Sequence, residues 1–228
     1  VDITSDGNRV TVSTTNKDVG SLTDVGAGYV FTRSGTTWSQ QQKLTSGDGE
    51  AYDYFGGAVQ ISQDGNYIIC GASGEDTGAS NAGAFYIFLL GRQGTLEVDR
   101  PLQITDGASN NVTLSTTTTT SADWPGATTW STYATGSTLV ASGHANSSAR
   151  QFGEVVDISG DGTYAVVAAA ATQSSYSGEV YVYIRTGTTW TQQAKLTADD
   201  AQGSDYFGTS VAINKDGTYL AVGAAGED

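Results

Sequence analysis

An all-β fold, a β-propeller built of four-stranded antiparallel blades, is what the sequence predicts, and three observations predict it. The first is a tandem repeat. Residues 205–228 match residues 53–76 in their Asp-Tyr-Phe-Gly opening, a Val-x-Ile run, an Asp-Gly turn, a Tyr and a Gly-Ala-x-Gly-Glu-Asp close, and residues 151–168 keep the first two-thirds of the same pattern. The second is spacing. Asp-Gly turns begin at positions 6, 64, 161 and 216, which are 58, 97 and 55 residues apart; with two short units in the middle gap, the period is about 50–58 residues. The third is patterning: apolar and polar residues alternate on both sides of the turns, and no stretch carries a helical period. Small sheets that cannot bury both faces alone do so by stacking on one another around an axis.

In chain order, Val1–Val12 alternates around Asp6-Gly7, a hairpin signal, because Asp-Gly accepts the positive φ of a tight turn. Residues 27–35 and 36–45 read as a second hairpin turning at Ser34-Gly35. The next unit carries an acidic loop over 47–53, the Phe-Gly element, a hairpin at Asp64-Gly65, a third strand over 83–91 and a fourth over 95–105, where Pro101 implies an edge or a bulge. Residues 106–150 lack the Asp-Gly hairpin but place Trp130 where Trp38 and Trp190 fall in their own units, so they are read as a diverged blade. Residues 178–197 nearly copy 28–45. The expected blades cover roughly 1–45, 46–105, 106–150, 151–202 and a half-blade over 203–228, about four and a half in one repeat region. Such a ring closes only by an unusual strand exchange, so a segment of a longer array is expected.

Composition narrows the function. With 24 acidic against 10 basic residues the net charge is −14, which repels phosphate backbones and argues against a nucleic-acid partner. No run approaches the ~20 apolar residues of a membrane-spanning helix. The absence of Met points to a mature or excised segment, and few Lys among many Thr, Ser and Gly suit an extracellular or cell-surface location. Cys70, the single cysteine, sits in an apolar run and is expected to be a small buried hydrophobe. His144 is the single histidine, so triads or zinc sites needing a second His are excluded.

The recurring Phe55-Gly56, Phe152-Gly153 and Phe207-Gly208, with Gly71-Ala72, Gly223-Ala224, Gly28-Tyr-Val-Phe31 and Gly178-Glu-Val-Tyr-Val-Tyr183, resemble the FG-GAP repeat family, the blades of integrin α-subunit propellers and of secreted microbial arrays. The resemblance covers 1–105 and 152–228 well and 106–151 poorly, and it is specific for fold rather than function. It implies calcium loops of the Asp-x-Asp-x-Asp-Gly type in the first hairpin. Here those hairpins read Thr4-Ser-Asp-Gly, Ser62-Gln-Asp-Gly, Ser159-Gly-Asp-Gly and Asn214-Lys-Asp-Gly, and one Asp per turn cannot supply the six to eight oxygens calcium takes.

No cofactor is therefore expected. The weak candidates for a cation are the acidic loops Asp48, Glu50 and Asp53 and Asp199, Asp200 and Asp205, each more simply a solvated loop; Glu75-Asp76 and Glu227-Asp228 recur likewise. Trp38, Trp130 and Trp190 are read as blade-to-blade packing, with sugar stacking as the alternative. Asn111-Val-Thr and Asn146-Ser-Ser are N-glycosylation sequons beside the Thr116–Thr120 run, and Arg150 lies in the same diverged unit. The expected function is a non-enzymatic extracellular structural or adhesive module of a surface protein or fibre, meeting other chains or neighbouring modules through loops and blade edges. The alternatives are an integrin-like or lectin-like propeller binding calcium or glycans and, third, a glycosidase with two carboxylates in a channel.

Overall fold

The computed structural model describes residues 1–76, 82–90, 130–132, 152–170, 177–187 and 189–226. Among them there is no helix; there are three four-stranded antiparallel sheets and one of two strands. Sheet 1 holds β1 (Asp2–Ile3), β2 (Arg9–Thr14), β3 (Ala27–Ser34) and β4 (Thr37–Leu44), paired in chain order. Sheet 2 holds β5 (Phe55–Ile61), β6 (Tyr67–Ala72), β7 (Ala84–Leu90) and β8 (Trp130–Thr132). Sheet 3 holds β9 (Val155–Ile158), β10 (Tyr164–Ala169), β11 (Glu179–Thr186) and β12 (Thr189–Leu196), and sheet 4 holds β13 (Phe207–Ile213) and β14 (Leu220–Ala224). The β3–β4 and β11–β12 ladders carry the same bulge, after Val30 and after Val182, so the near-identical sequences there fold alike.

The sheets stack in chain order, as blades of an open part of a propeller. One apolar layer lies between sheets 1 and 2, with Val30 and Leu44 meeting Phe55, Ile68, Cys70, Tyr86 and Phe88. A larger one lies between sheets 2 and 3, where Ile69, Phe85 and Ile87 meet Phe152, Val167, Tyr181 and Trp190. A third joins Val166, Ala168 and Val180 to Phe207, Val211 and Val222 of sheet 4. The first strand of each sheet packs on the strands of the sheet before it, β5 on β1, β2 and β3 and β13 on β9, β10 and β11. Alternation explains this: in β6, Ile68 and Cys70 face sheet 1 while Tyr67 and Ile69 face sheet 3, so both faces are apolar and both are covered.

The Phe-Gly element is the joint. Phe55 and Phe152 are fully buried, and their backbones bridge in parallel to Gly26 and Gly83 of the preceding sheet. The Phe207 N–H continues the pattern, donating to the Ser177 carbonyl at 2.7 Å. Backbones approach so closely that a Cβ at Gly26, whose φ is 94°, would lie 2.0 Å from the Phe55 carbonyl oxygen. A second joint lies along the first strands: Asp2 accepts from the Ile61 N–H at 2.9 Å and Asp157 from the Ile213 N–H at 2.7 Å, each carboxylate reaching into the next sheet.

Of the unit expected over 106–150, only residues 130–132 are described. Gly83 of sheet 2 bridges directly to Phe152 of sheet 3, and side chains of the two sheets, among them Phe85 and Phe152, share one apolar layer. Trp130, read as belonging to a separate blade, lies on β8, the fourth strand of sheet 2. β7 and β8 pair although residues 91–129 separate them in the sequence, whereas two residues separate β3 from β4 and β11 from β12. The expected fourth strand over 95–105, with Pro101, lies outside the described residues.

Candidate interaction surfaces

At one end of the stack the four Asp-Gly turns share a network. Thr4 donates to Asp6, Ser62 to Asp64, Ser159 to Asp161 and Asn214 to Asp216, at 2.6 to 2.8 Å. The residue after each glycine donates through its backbone N–H to the same Asp, as Asn8 does at 3.0 Å and Asn66 at 3.0 Å. These donors favour the charged form: the Thr4 hydroxyl, then Asn8, hold Asp6 below the usual carboxylate range, and Thr218 does so at Asp216. At Asp161 burial pushes upward, but bonds from Thr163 and Ser159 outweigh it. The turn aspartates therefore act as Asx-type locks that hold the hairpins.

Beside the turns runs a step from sheet to sheet. The residue three positions after each Asp is Arg9, Tyr67, Tyr164 and Tyr219 in turn. Arg9 donates to the Gly65 carbonyl at 2.8 Å, and desolvation lowers its guanidinium's pKa. Tyr67 lies against Gly162 and beneath Arg185, whose guanidinium stands 4.5 Å from the ring centre and donates to the Gly162 carbonyl at 2.8 Å. Between the first two turns opens a polar cleft of about 290 Å³, lined by Arg9, Arg33, Asn8, Asp6, Asp64 and Gln63 among others. Trp38, beneath Arg33 at 5.8 Å, is 42% exposed, whereas Trp190 at the equivalent place in sheet 3 is buried. The difference has one cause: sheet 2 covers Trp190, and no described sheet precedes sheet 1. Sequence reading missed Arg9, Arg33 and the tyrosine step; the signal was the aromatic at a fixed offset after Asp-Gly.

The acidic loops divide into two kinds of residue. Asp53 and Asp205 are buried, and each accepts the backbone N–H three residues earlier, from Glu50 at 2.6 Å and from Gln202. Asp48 accepts from the Tyr86 hydroxyl at 2.9 Å, while Glu50, Asp199 and Asp200 are exposed. Among the described residues no three His, Cys, Asp or Glu side chains stand where they could hold a metal ion. Burial, opposed by the Glu50 N–H and reinforced by Glu75, Glu50 and Asp48, pushes Asp53 up to about 6. Folded Asp53 thus keeps its proton to about pH 6, while the unfolded chain releases it near pH 4. Its carboxyl favours folding below about pH 4, and the contribution fades as the pH climbs through 6. Asp53→Asn keeps an acceptor for the Glu50 N–H and removes the charge. It is expected to stabilise the chain by on the order of 1 kcal/mol at about pH 7.5 and to be neutral near pH 4, read from melting curves at both values.

Of the remaining sequence candidates, Phe55, Phe152, Gly56, Gly153 and Gly208 are buried at the joints and Phe207 is half-buried. Cys70 is fully buried between sheets 1 and 2, where desolvation raises its thiol pKa. Asn111, His144, Asn146, Arg150, Glu227 and Asp228 lie outside the described residues. No described helix is long and apolar enough to cross a membrane.

With this geometry in place, the FG-GAP repeat profile matches the chain over residues 38–88 and 190–228. Each match starts at a tryptophan on the fourth strand of one sheet and continues into the next, so the repeat in the sequence spans the joint rather than a single sheet. No curated protein matches the chain. Among solved structures, Sqt1 of Chaetomium thermophilum is similar at 14% identity and a TM-score of 0.47, over 97% of this chain and 39% of that one. The periplasmic gluconolactonase PpgL of Pseudomonas aeruginosa is similar at 16% identity and a TM-score of 0.34, over 97% and 63%. The chain therefore spans less than two thirds of either structure's length.

Proposed function

We propose that this chain, whose repeats are FG-GAP repeats, is a non-enzymatic extracellular interaction module, a structural or adhesive part of a cell-surface protein or fibre. The observation behind the reading is the state of the two end sheets. Sheet 1 carries Ile3, Val10, Val12, Tyr29, Phe31 and Trp38 on the face turned away from sheet 2, and Ile3 and Trp38 are 52% and 42% exposed. In sheet 4, β14 pairs with β13 alone among the described strands. An apolar sheet face and an open strand edge are the two surfaces by which β-proteins recruit other chains. Glycans on Asn111 and Asn146 would suit such a role outside the cell.

A second reading, a lectin-like head, draws on the polar cleft lined by Arg9 and Arg33 and on the exposed Trp38, whose ring lies 5.8 Å from the Arg33 guanidinium. Calcium calorimetry, a glycan array and bead adhesion separate the readings. The structural module gives no heat with calcium, no array signal, and adhesion of chain-coated beads to protein-coated surfaces. Calcium heat or a defined glycan signal would favour the ligand-binding head, and glycoside hydrolysis would revive an enzyme.

A further inference from the structure

The dipeptide Asp-Gly begins at positions 6, 48, 64, 161 and 216 among the described residues. It is the sequence at which a backbone most readily attacks its own side chain, because glycine has no Cβ to hinder its nitrogen. Ring closure brings that nitrogen onto the Asp Cγ, so the carboxyl must rotate and the glycine peptide must turn. At the four turns both are held. Gly7, Gly65, Gly162 and Gly217 each donate the N–H to the carbonyl three residues back, at 2.8 to 3.0 Å. Each turn Asp accepts from the residue two before it and the residue two after it. At Asp64 these are the Ser62 hydroxyl at 2.6 Å and the Asn66 N–H at 3.0 Å. The same donors keep Asp6, Asp161 and Asp216 ionised, and a carboxylate is a poor electrophile.

Asp48-Gly49, in the exposed loop from β4 to β5, has the same dipeptide without these bonds. Ser46 stands two before Asp48, as Ser62 stands before Asp64, yet its hydroxyl is buried under Gly49 with no hydrogen-bond partner. The Glu50 N–H, two after, is given to Asp53 at 2.6 Å. Among the described residues nothing accepts from the Gly49 N–H. What Asp48 does hold is the Tyr86 hydroxyl, at 2.9 Å, a bond from the loop to β7 of sheet 2.

We propose that Asp48-Gly49 is a self-modification site, at which aspartate isomerises to isoaspartate in the folded chain while the four turns resist the same reaction. The Gly49 nitrogen bonds to Asp48 Cγ, and one carboxyl oxygen leaves as water with the amide proton and the carboxyl proton. The product is a five-membered succinimide. Water then opens the ring at either carbonyl. Cleavage of the new N–Cγ bond restores Asp48. Cleavage of the original peptide bond leaves the main chain running through Cγ, with the former main-chain carbonyl carbon as a free carboxylate. One water is released and one taken up, so no other reactant is needed. The isoaspartyl main chain is longer by one methylene. That moves the carboxylate off Tyr86 and the Glu50 N–H off Asp53, so the loop loosens its hold on sheet 2.

Peptide mapping of the purified chain after warm storage at neutral pH tests this, with fragment ions that distinguish isoaspartate, since the mass does not change. Isoaspartate is expected to accumulate at position 48 about tenfold faster or more than at any of the four turns, because closure there must first break the turn's hydrogen bonds. In urea, where those bonds are gone, all five sites are expected to react at comparable rates. Turn aspartates that isomerise in the folded chain as fast as Asp48 overturn the proposal. So does an Asp48 that is inert in the folded chain but reacts in urea. Asp48→Glu, a change at an exposed side chain, cannot close the five-membered ring. Its melting temperature is expected to hold through storage while that of the parent falls. A parent that keeps its melting temperature despite isoaspartate at 48 overturns the loosening of the loop.

Discussion

Gly83→Ala is expected to lower stability by about 4 kcal/mol or more, an exceptional loss for the addition of one methyl group. Two effects combine. The backbone at Gly83 has a φ of 78°, which L side chains rarely adopt, and the added Cβ would lie 2.0 Å from the Phe152 carbonyl oxygen and 2.8 Å from its nitrogen. Strain from the dihedral alone is on the order of 1 kcal/mol. The overlap is with backbone and cannot be relieved by a rotamer, so the parallel bridge joining sheets 2 and 3 must open. Gly35→Ala supplies the control. Its φ is 60° and nothing lies within 4 Å of the new atom, so only the dihedral cost of about 1 kcal/mol should appear. Urea denaturation of both variants reads the difference. Equal losses would mean that Phe152 does not lie against Gly83.

Phe152→Ala is expected to cost about 3–5 kcal/mol, the range for emptying a buried aromatic site. The ring is fully buried and meets Phe85 edge-on at 5.8 Å and Tyr181 at 5.3 Å, one from each flanking sheet. It therefore closes a layer that neither sheet could bury alone. Phe55, between sheets 1 and 2 with Tyr86 and Phe88 at 5.4 and 5.9 Å, holds the matching place, so Phe55→Ala should lose a similar amount. A loss below about 1 kcal/mol at Phe152 would place that ring at a surface instead.

Repetition made most of the fold legible. The Asp-Gly turns, the Phe-Gly joints and the Gly-x-x-Tyr-x-Phe/Tyr strands recur at matching offsets, and each is a local signal read within a few residues. The number of sheets was less legible because β8 lies far from its partner. A hairpin of two residues, as at Gly35-Thr36, is visible in sequence, but pairing across residues 91–129 is not, so Trp130 was read as the mark of a separate unit. The acidic loops show the same limit. Asp53 and Asp199 look alike in sequence, yet Asp53 turns inward to hold the Glu50 N–H and Asp199 stays in solvent, because the backbone path of the loop decides which carboxylate points inward. Trp38 and Trp190 share a motif and differ in exposure because their neighbours differ, and no local pattern records what covers a face.

Ring-to-ring nuclear Overhauser contacts of Phe152 test the direct stacking of sheets 2 and 3 most simply. Cross-peaks from Phe152 to both Phe85 and Tyr181 are the expected result. Cross-peaks from Phe152 to side chains of residues 106–150, with none to Phe85, would put another sheet between them and contradict it.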